Sequence, residues 1–290
     1  MGDEVFMQEL AQVLALTRLP SCGLSQAERV LLLLEHGSTQ ALELACDDLL
    51  GVSDILARCQ SDVDAWALSY SMTHILHPTY PHYLASIRES PALVFYQGNL
   101  LPADQAIAVV GSRAATDYEC GTAAEIARLI TSMGLTVASG LAHGIDRAAH
   151  EATLAAGGRT VAVMGTGLER TYPSVHVRLR EDIIASSGLV LTQFEPYSPV
   201  HKYNFPMRNI TMSGYSMATV IVAAHNHSGT RHQAERALAH GRYVFILDTV
   251  LDTASWAQQL TQRAGVHVVH SLDHLHTLLE HTRRAHNTAA

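Results

Sequence analysis

The sequence predicts an α/β protein: a doubly wound, mostly parallel sheet behind a small all-helical domain. Two observations carry this. From residue 106 onward, short runs of Val, Ile, Leu and Ala recur, most of them separated by helix-length stretches. Unbroken apolar strands alternating with helices make a parallel sheet covered on both faces. Before residue 76 the pattern is different, with apolar residues at three- and four-residue spacing and no strand-like alternation.

The elements follow in order. The stretches MQELAQVLALTRL and LSQAERVLLLLEHG read as helices ending near Pro20 and Gly37. Two more, STQALELACDDLL and SDILARCQSDVDAWALSY, open on serine, a good N-cap. Residues 1–75 are thus a helical domain. In 76–105, Pro78, Pro81, Pro91 and Pro102 punctuate a linker holding one edge strand, ALVFYQG. Residues 106–290 form the sheet domain, with strands expected at 106–111, 135–140, 160–165, 189–194, 218–224, 243–248 and 266–269. Helices are expected over DYECGTAAEIARLITSMG and HVRLREDIIASSG, and PVHKYNFPMRNITMSGYS reads as a long loop.

Composition narrows the class. A hydrophobic fraction of 48% with 16% charged residues excludes a disordered chain. No apolar run is long enough for a membrane span, and the acidic start MGDEVFMQEL is no secretory signal, so the expected setting is cytoplasmic. Cys22, Cys46, Cys59 and Cys120 show no CxxC pairing and are expected as reduced thiols. The net charge of -8 resides in residues 1–64, which hold eleven acids against Arg18, Arg29 and Arg58. The remainder is neutral, and 195–242 is locally +3. An acidic front and a locally basic back suit different tasks, although the acids also fit a solvated helical face.

In doubly wound sheets, ligands bind beyond the carboxyl ends of the strands. Three strands here end in glycine-bearing turns: Gly111-Ser112-Arg113, Ser139 to Gly144 (which includes Gly140 and His143), and the turn with Gly165 and Gly167. Glycine admits a ligand close to backbone amides, and amides at a helix start favour an anion. The turns are therefore expected to cradle phosphate. One such turn alone is commonly just a turn; three on one rim favour a shared anionic ligand. Neither GxGxxG nor GxxxxGK[ST] occurs, so a standard dinucleotide site and a Walker A loop are unsupported. Arg113 adds a charged fork, unless it only faces solvent. In the 199–216 stretch, Lys202 (the chain's one lysine), Arg208 and Asn209 interleave with Tyr203 and Phe205. Cations beside stacking surfaces suit single-stranded nucleic acid. For Phe205 the preferred reading is an anchor on the core.

These segments, VVGSR, ASGLAHGIDRAAHEATLAAGGRTVAVMGTGLERTYP, NFPMRNITMSGYS and HSGTRHQAERALAHGRYVF, resemble the DNA-processing protein A (DprA/Smf) family in that order. The front resembles the small helical (SAM- or HhH-like) domain preceding the Rossmann-like domain there. The resemblance implies a non-enzymatic, cofactor-free homodimer that binds single-stranded DNA and loads a RecA-type recombinase in natural transformation. By that likeness Gly111, Ser112, Arg113, Ser139 to Gly144, Lys202, Arg208 and Asn209 line the DNA pocket, with Gly165, Gly167, Gly229 and Thr230 on the same rim. The departures are specific. The family's loop usually reads Phe-Pro-x-Arg-Asn-Arg, whereas Met207 and Ile210 stand at positions that are often arginine. AAHNHSG replaces a common Val-Glu-Ala, and Asp248-Thr249 replaces Pro-Gly.

A second reading is a nucleotide-binding or phosphoribohydrolase-like protein of the same superfamily. Its Gly-Gly-x-Gly-Thr-x-x-Glu loop is matched here by Ser228-Gly229-Thr230 with Glu235 two positions late. That shift turns a helical residue by about 200°, which makes Glu235 a poor base. A third is metal chemistry at His225, His227 and His232, where no carboxylate or cysteine completes a set. Ser139 with His143 or His150 lacks the Gly-x-Ser-x-Gly turn of a nucleophile, and Asp146 reads as a helix-start cap.

Overall fold

The computed structural model describes residues 2–19, 23–45, 49–226 and 228–289, without the side chains of Leu49, Leu50 and 287–289. Pro20, Cys22, Cys46 and His227 lie outside the described residues. The front folds as α1 (Gly2–Arg18), α2 (Gln26–Leu44) and α3 (Leu49–Trp66). Ser25 caps α2 through a capping box with Glu28. The break expected at Gly37 is a kink inside α2, at φ 75°, and Ser38 beyond it is buried and donates to Gln12 Oε1 at 2.6 Å. Ser53 sits inside α3 and caps nothing, because the helix starts four residues earlier.

Then come β1 (Ser71–His74), α4 (His82–Ala85), β2 (Leu93–Gly98) and β3 (Ala106–Gly111). The βα units follow: α5 (Asp117–Ser132), β4 (Thr136–Ser139), α6 (Ile145–Ala155), β5 (Thr160–Val163), a 3-10 turn (Ser174–His176), α7 (Val177–Ala185) and β6 (Leu189–Thr192). The chain continues with α8 (Asn204–Tyr215), β7 (Ala218–Ala223), α9 (Thr230–Ala239) and β8 (Tyr243–Leu247). It ends with α10 (Asp248–Thr253), α11 (Ser255–Leu260), β9 (Val266–Val269) and α12 (Leu272–Ala289). All seven expected strands are present.

The described residues form a nine-stranded sheet in the order β1-β2-β6-β5-β4-β3-β7-β8-β9, parallel from β6 to β9. The chain moves outward from β3 to β6 and then returns to pair β7 beside β3. The sheet's switch point is therefore the β3/β7 boundary, where a crevice opens at the carboxyl ends. Two expectations change. The linker strand is not at the edge, because β1 pairs antiparallel outside β2 and takes that place. The long loop before β7 is largely the helix α8. Pro206 sits in its first turn, where a missing N–H leaves no helical bond unmade.

Core residues of α5, α6 and α12 pack on one side of β3, β4 and β7. The second core is continuous from the front (Leu10, Leu14, Leu33, Val63) through β2, β5 and β6 to α8 and α9. Fully burying one such leucine contributes about 1.5–3 kcal/mol. Polar ties add to it. Arg18 donates to both Glu195 oxygens (2.8 and 2.7 Å) and to Asp62 Oδ2 (2.6 Å), with its guanidinium 5.4 Å from the Trp66 ring centroid. Tyr70 donates its hydroxyl to Glu169. The acidic front is thereby fastened to the loops after β5 and β6. Among the described residues no helix is long and apolar enough to cross a membrane.

Candidate nucleic-acid interface

The turns after β3, β4 and β5 meet on one rim, but their glycines serve the protein's own chain. A Cβ on Gly140 would fall 1.7 Å from Nη1 of Arg208. Gly144, at φ 69°, would place one 2.3 Å from the Ser112 carbonyl oxygen. These two positions need glycine because a guanidinium and a neighbouring turn lie directly on the backbone. Gly111 is pressed likewise by Ile145 and Ala223, and Gly167 by the carbonyls of Glu195 and Pro196. The expectation of empty cradles at Gly140 and Gly144 is corrected: both spaces are filled.

The amides of that turn are engaged as well. Gly140 and Ala142 donate their N–H groups to Asp146 Oδ2 at 3.1 and 3.3 Å. Asp146 is buried in the first turn of α6, so it holds the helix start as expected. Burial pushes its carboxyl above the usual range, against the pull of Arg208 and of the amides. Arg208 is only 6% exposed; Nη1 donates to the Val163 carbonyl at 2.8 Å and Nε to Asn209 Oδ1 at 3.2 Å. Burial lowers its pKa against the field of Asp146. Its expected place as an open phosphate contact is corrected too. On α8, Asn204 and Arg208 are buried one turn apart and every position from 211 to 215 is buried, and the four-residue step from 204 through 208 to 212 carries Arg208 under the rim.

Ser139 is fully buried and donates to the Val109 carbonyl at 2.7 Å, so it neither contacts a ligand nor forms a nucleophile pair. His150 is equally buried, against Thr160 Oγ1 at 2.7 Å, and burial lowers its pKa to about 3. Ser112 is buried: its N–H bonds Ala223, its carbonyl accepts from Ile145 and its hydroxyl accepts from Ala114 N.

Facing outward are a cluster of Arg113, Phe205 and Tyr172 and, separately, His143 and Lys202. The Arg113 guanidinium lies 5.2 Å from the Phe205 ring centroid. Phe205 is half-buried and flush with Gly165, where a Cβ would meet its ring at 2.8 Å. It is at once an anchor and a wall of the site. Tyr172, 48% exposed, packs on it with centroids 5.5 Å apart and planes at 52°. His143 is exposed and sits edge-on to His176 at 4.8 Å, while His176 Nδ1 bonds the Leu141 carbonyl at 2.8 Å. Lys202 is exposed in the turn before α8, between His201 and Tyr203, whose rings stack at 4.9 Å. Neither Arg113 nor Lys202 has a carboxylate partner among the described residues. Tyr172 carries a weaker sequence signal, an aromatic residue in the loop that follows a glycine-ended strand.

Other expected positions divide. Gly229 is exposed with open space before it, at the start of α9, and Thr230 is buried, its N–H on Ser228 Oγ at 3.1 Å. Met207 lines a groove against Leu14 and Phe95, and Ile210 packs on the main core. Both turn toward the protein. Glu235 is ion-paired with Arg231 at 2.8 Å. His225 and His232 are exposed, and among the described residues no group of three His, Cys, Asp or Glu could hold a metal. Cys59 and Cys120 are free thiols.

Comparison with known proteins identifies the family. Residues 71–280 match the model of the DNA recombination-mediator protein A family. The DNA processing protein DprA of Streptococcus pneumoniae is 34% identical over 250 residues, covering 82% of this chain and 88% of that protein. Its crystal structure superposes with a TM-score of 0.76 at 30% identity, over 91% of this chain and 96% of that one. DNA processing protein A of Helicobacter pylori, described for its unique single-stranded DNA binding mode, shares the fold (TM-score 0.64, 23% identity, 73% and 95% covered). The chain spans about half the length of several other curated relatives. With a family match from 71 to 280 and likeness to the pneumococcal protein along most of both chains, this protein belongs to the DNA recombination-mediator protein A (DprA/Smf) family.

Proposed function

We propose that the chain binds single-stranded DNA across the carboxyl rim of its parallel sheet and, without catalysis, hands it to a RecA-type recombinase. The observation that carries the reading is Arg113 laid over Phe205 beside the switch point, with Lys202 free nearby in the chain. Unpaired cations next to half-exposed rings take phosphates and bases together, without sequence preference. The single-stranded DNA binding described for the Helicobacter pylori protein supports it. The family's description as a recombination mediator supports the recombinase as recipient. A homodimer working in the cytoplasm completes the proposal.

The deciding experiment is a titration of labelled oligo-dT over a salt series. Wild-type protein should bind with micromolar or better affinity that weakens as salt rises. Replacing Arg113 and Lys202 together by alanine should lower affinity and flatten the log–log salt slope by about 1.4, at ~0.7 per lost phosphate contact. Wild-type protein that binds no oligo-dT at low salt would end the reading. An unchanged slope in the double variant would place the DNA elsewhere.

A further inference from the structure

We propose that Tyr172 is a base platform in its own right, so that the rim holds a second nucleobase beyond the one at Arg113 and Phe205. This rests on the single-stranded DNA reading above. Phe205 is half-buried, with Gly165 behind its ring and the Arg113 guanidinium 5.2 Å from its centroid. Tyr172 is the ring against Phe205 with open area, at 48% exposed, and its hydroxyl has no partner among the described residues. Its contact with Phe205, at 5.5 Å and 52°, steadies the ring without covering it.

The angle between the rings bears on stoichiometry. Planes 52° apart cannot both lie flat against one base. One base therefore stacks on the Arg113 guanidinium, itself a planar surface, and its neighbour stacks on Tyr172. Arg170, two residues upstream in the same loop, is exposed and has no carboxylate partner among the described residues, so a cation accompanies this second step. The loop is held from behind by Tyr70 on Glu169 and by Thr166 Oγ1 on the Arg170 carbonyl at 2.5 Å.

The test compares oligo-dT with an abasic oligonucleotide of equal length, using full-length wild type, Tyr172→Leu and Tyr172→Phe. Tyr172→Leu keeps apolar bulk but removes the π face. It should bind oligo-dT about tenfold more weakly, within the range of one lost base stack, while binding the abasic strand as wild type does. Tyr172→Phe should behave as wild type on both. Tyr172→Leu with undiminished oligo-dT affinity overturns the proposal and leaves the parent reading standing. Equal weakening on both strands also overturns it, because the ring would then act through loop structure alone. Wild type that binds neither strand defeats the parent reading and this one together.

Discussion

Removing the Arg208 charge is the sharpest test of how the rim is built. In Arg208→Met the Asp146 carboxylate, 6% exposed, loses its buried cation and keeps two amide donors. Arg208 steadies Asp146 through its field and donates to the Val163 carbonyl, so its loss removes that attraction and leaves a buried acceptor unmet, at a cost of about 1–3 kcal/mol. For a chain of this length the unfolding entropy is roughly 0.6 kcal/mol per degree, so Tm should fall by up to about 5 °C. The sign of the pH dependence follows from Asp146. Burial already raises its pKa above the unfolded value, and loss of Arg208 raises it further. The folded state then keeps its proton to higher pH than the unfolded state. The added destabilisation is absent below the ordinary carboxylate range and complete above the raised pKa. Urea unfolding followed by circular dichroism should show the deficit against wild type growing from acid to neutral pH. Asp146→Asn in the same chain should remove the pH-dependent part of it. A deficit that is flat with pH, or a pH dependence that survives Asp146→Asn, would mean that the field of Arg208 does not act on Asp146.

Two further outcomes are expected. Burial lowers the pKa of His74 to about 4 and of His150 to about 3, so the unfolded chain takes up protons first as acidity rises. Stability should drop as pH falls below the ordinary histidine value, by up to ~1.4 kcal/mol per pH unit for each ring, and His150→Gln should remove about half of that slope. Unfolding midpoints that do not move between neutral and mildly acidic pH would contradict this. Arg18→Met should cost only about 1 kcal/mol of stability, since both partners are partly solvated. It should nonetheless speed amide exchange across 195–203; exchange that stays slow there would show that the loop does not depend on the front.

The sheet was legible because each buried parallel strand must be apolar on both faces, and AIAVVG or ATVIVAA admits little else. Strand β1 was not, since Ser71–His74 shows no alternation and its partner β2 lies some twenty residues on. Helix α8 was hidden by Pro206 and by the polar residues Lys202, Asn204 and Asn209, which read as loop. That single misreading carried the site with it. Once 204–215 is helical, Arg208 turns inward and Met207 and Ile210 face neighbouring elements, so none of the three is an open phosphate contact. Arg113 and Lys202 stand out in the sequence as cations beside glycine turns and aromatic residues, and the structure leaves both exposed. The filling of Gly140 by Arg208 was not legible, because a glycine records that something approaches without recording what.

The antiparallel strand at the sheet's outer end governs where this chain tolerates being cut. Composition invites a boundary just after residue 75, yet Ser71–His74 shields the ladder of Leu93–Gly98 by pairing along it. A fragment begun past that point would bare an unpaired, largely apolar strand, the kind of surface on which chains stack into aggregates. A fragment that carries the sheet must therefore begin before Ser71.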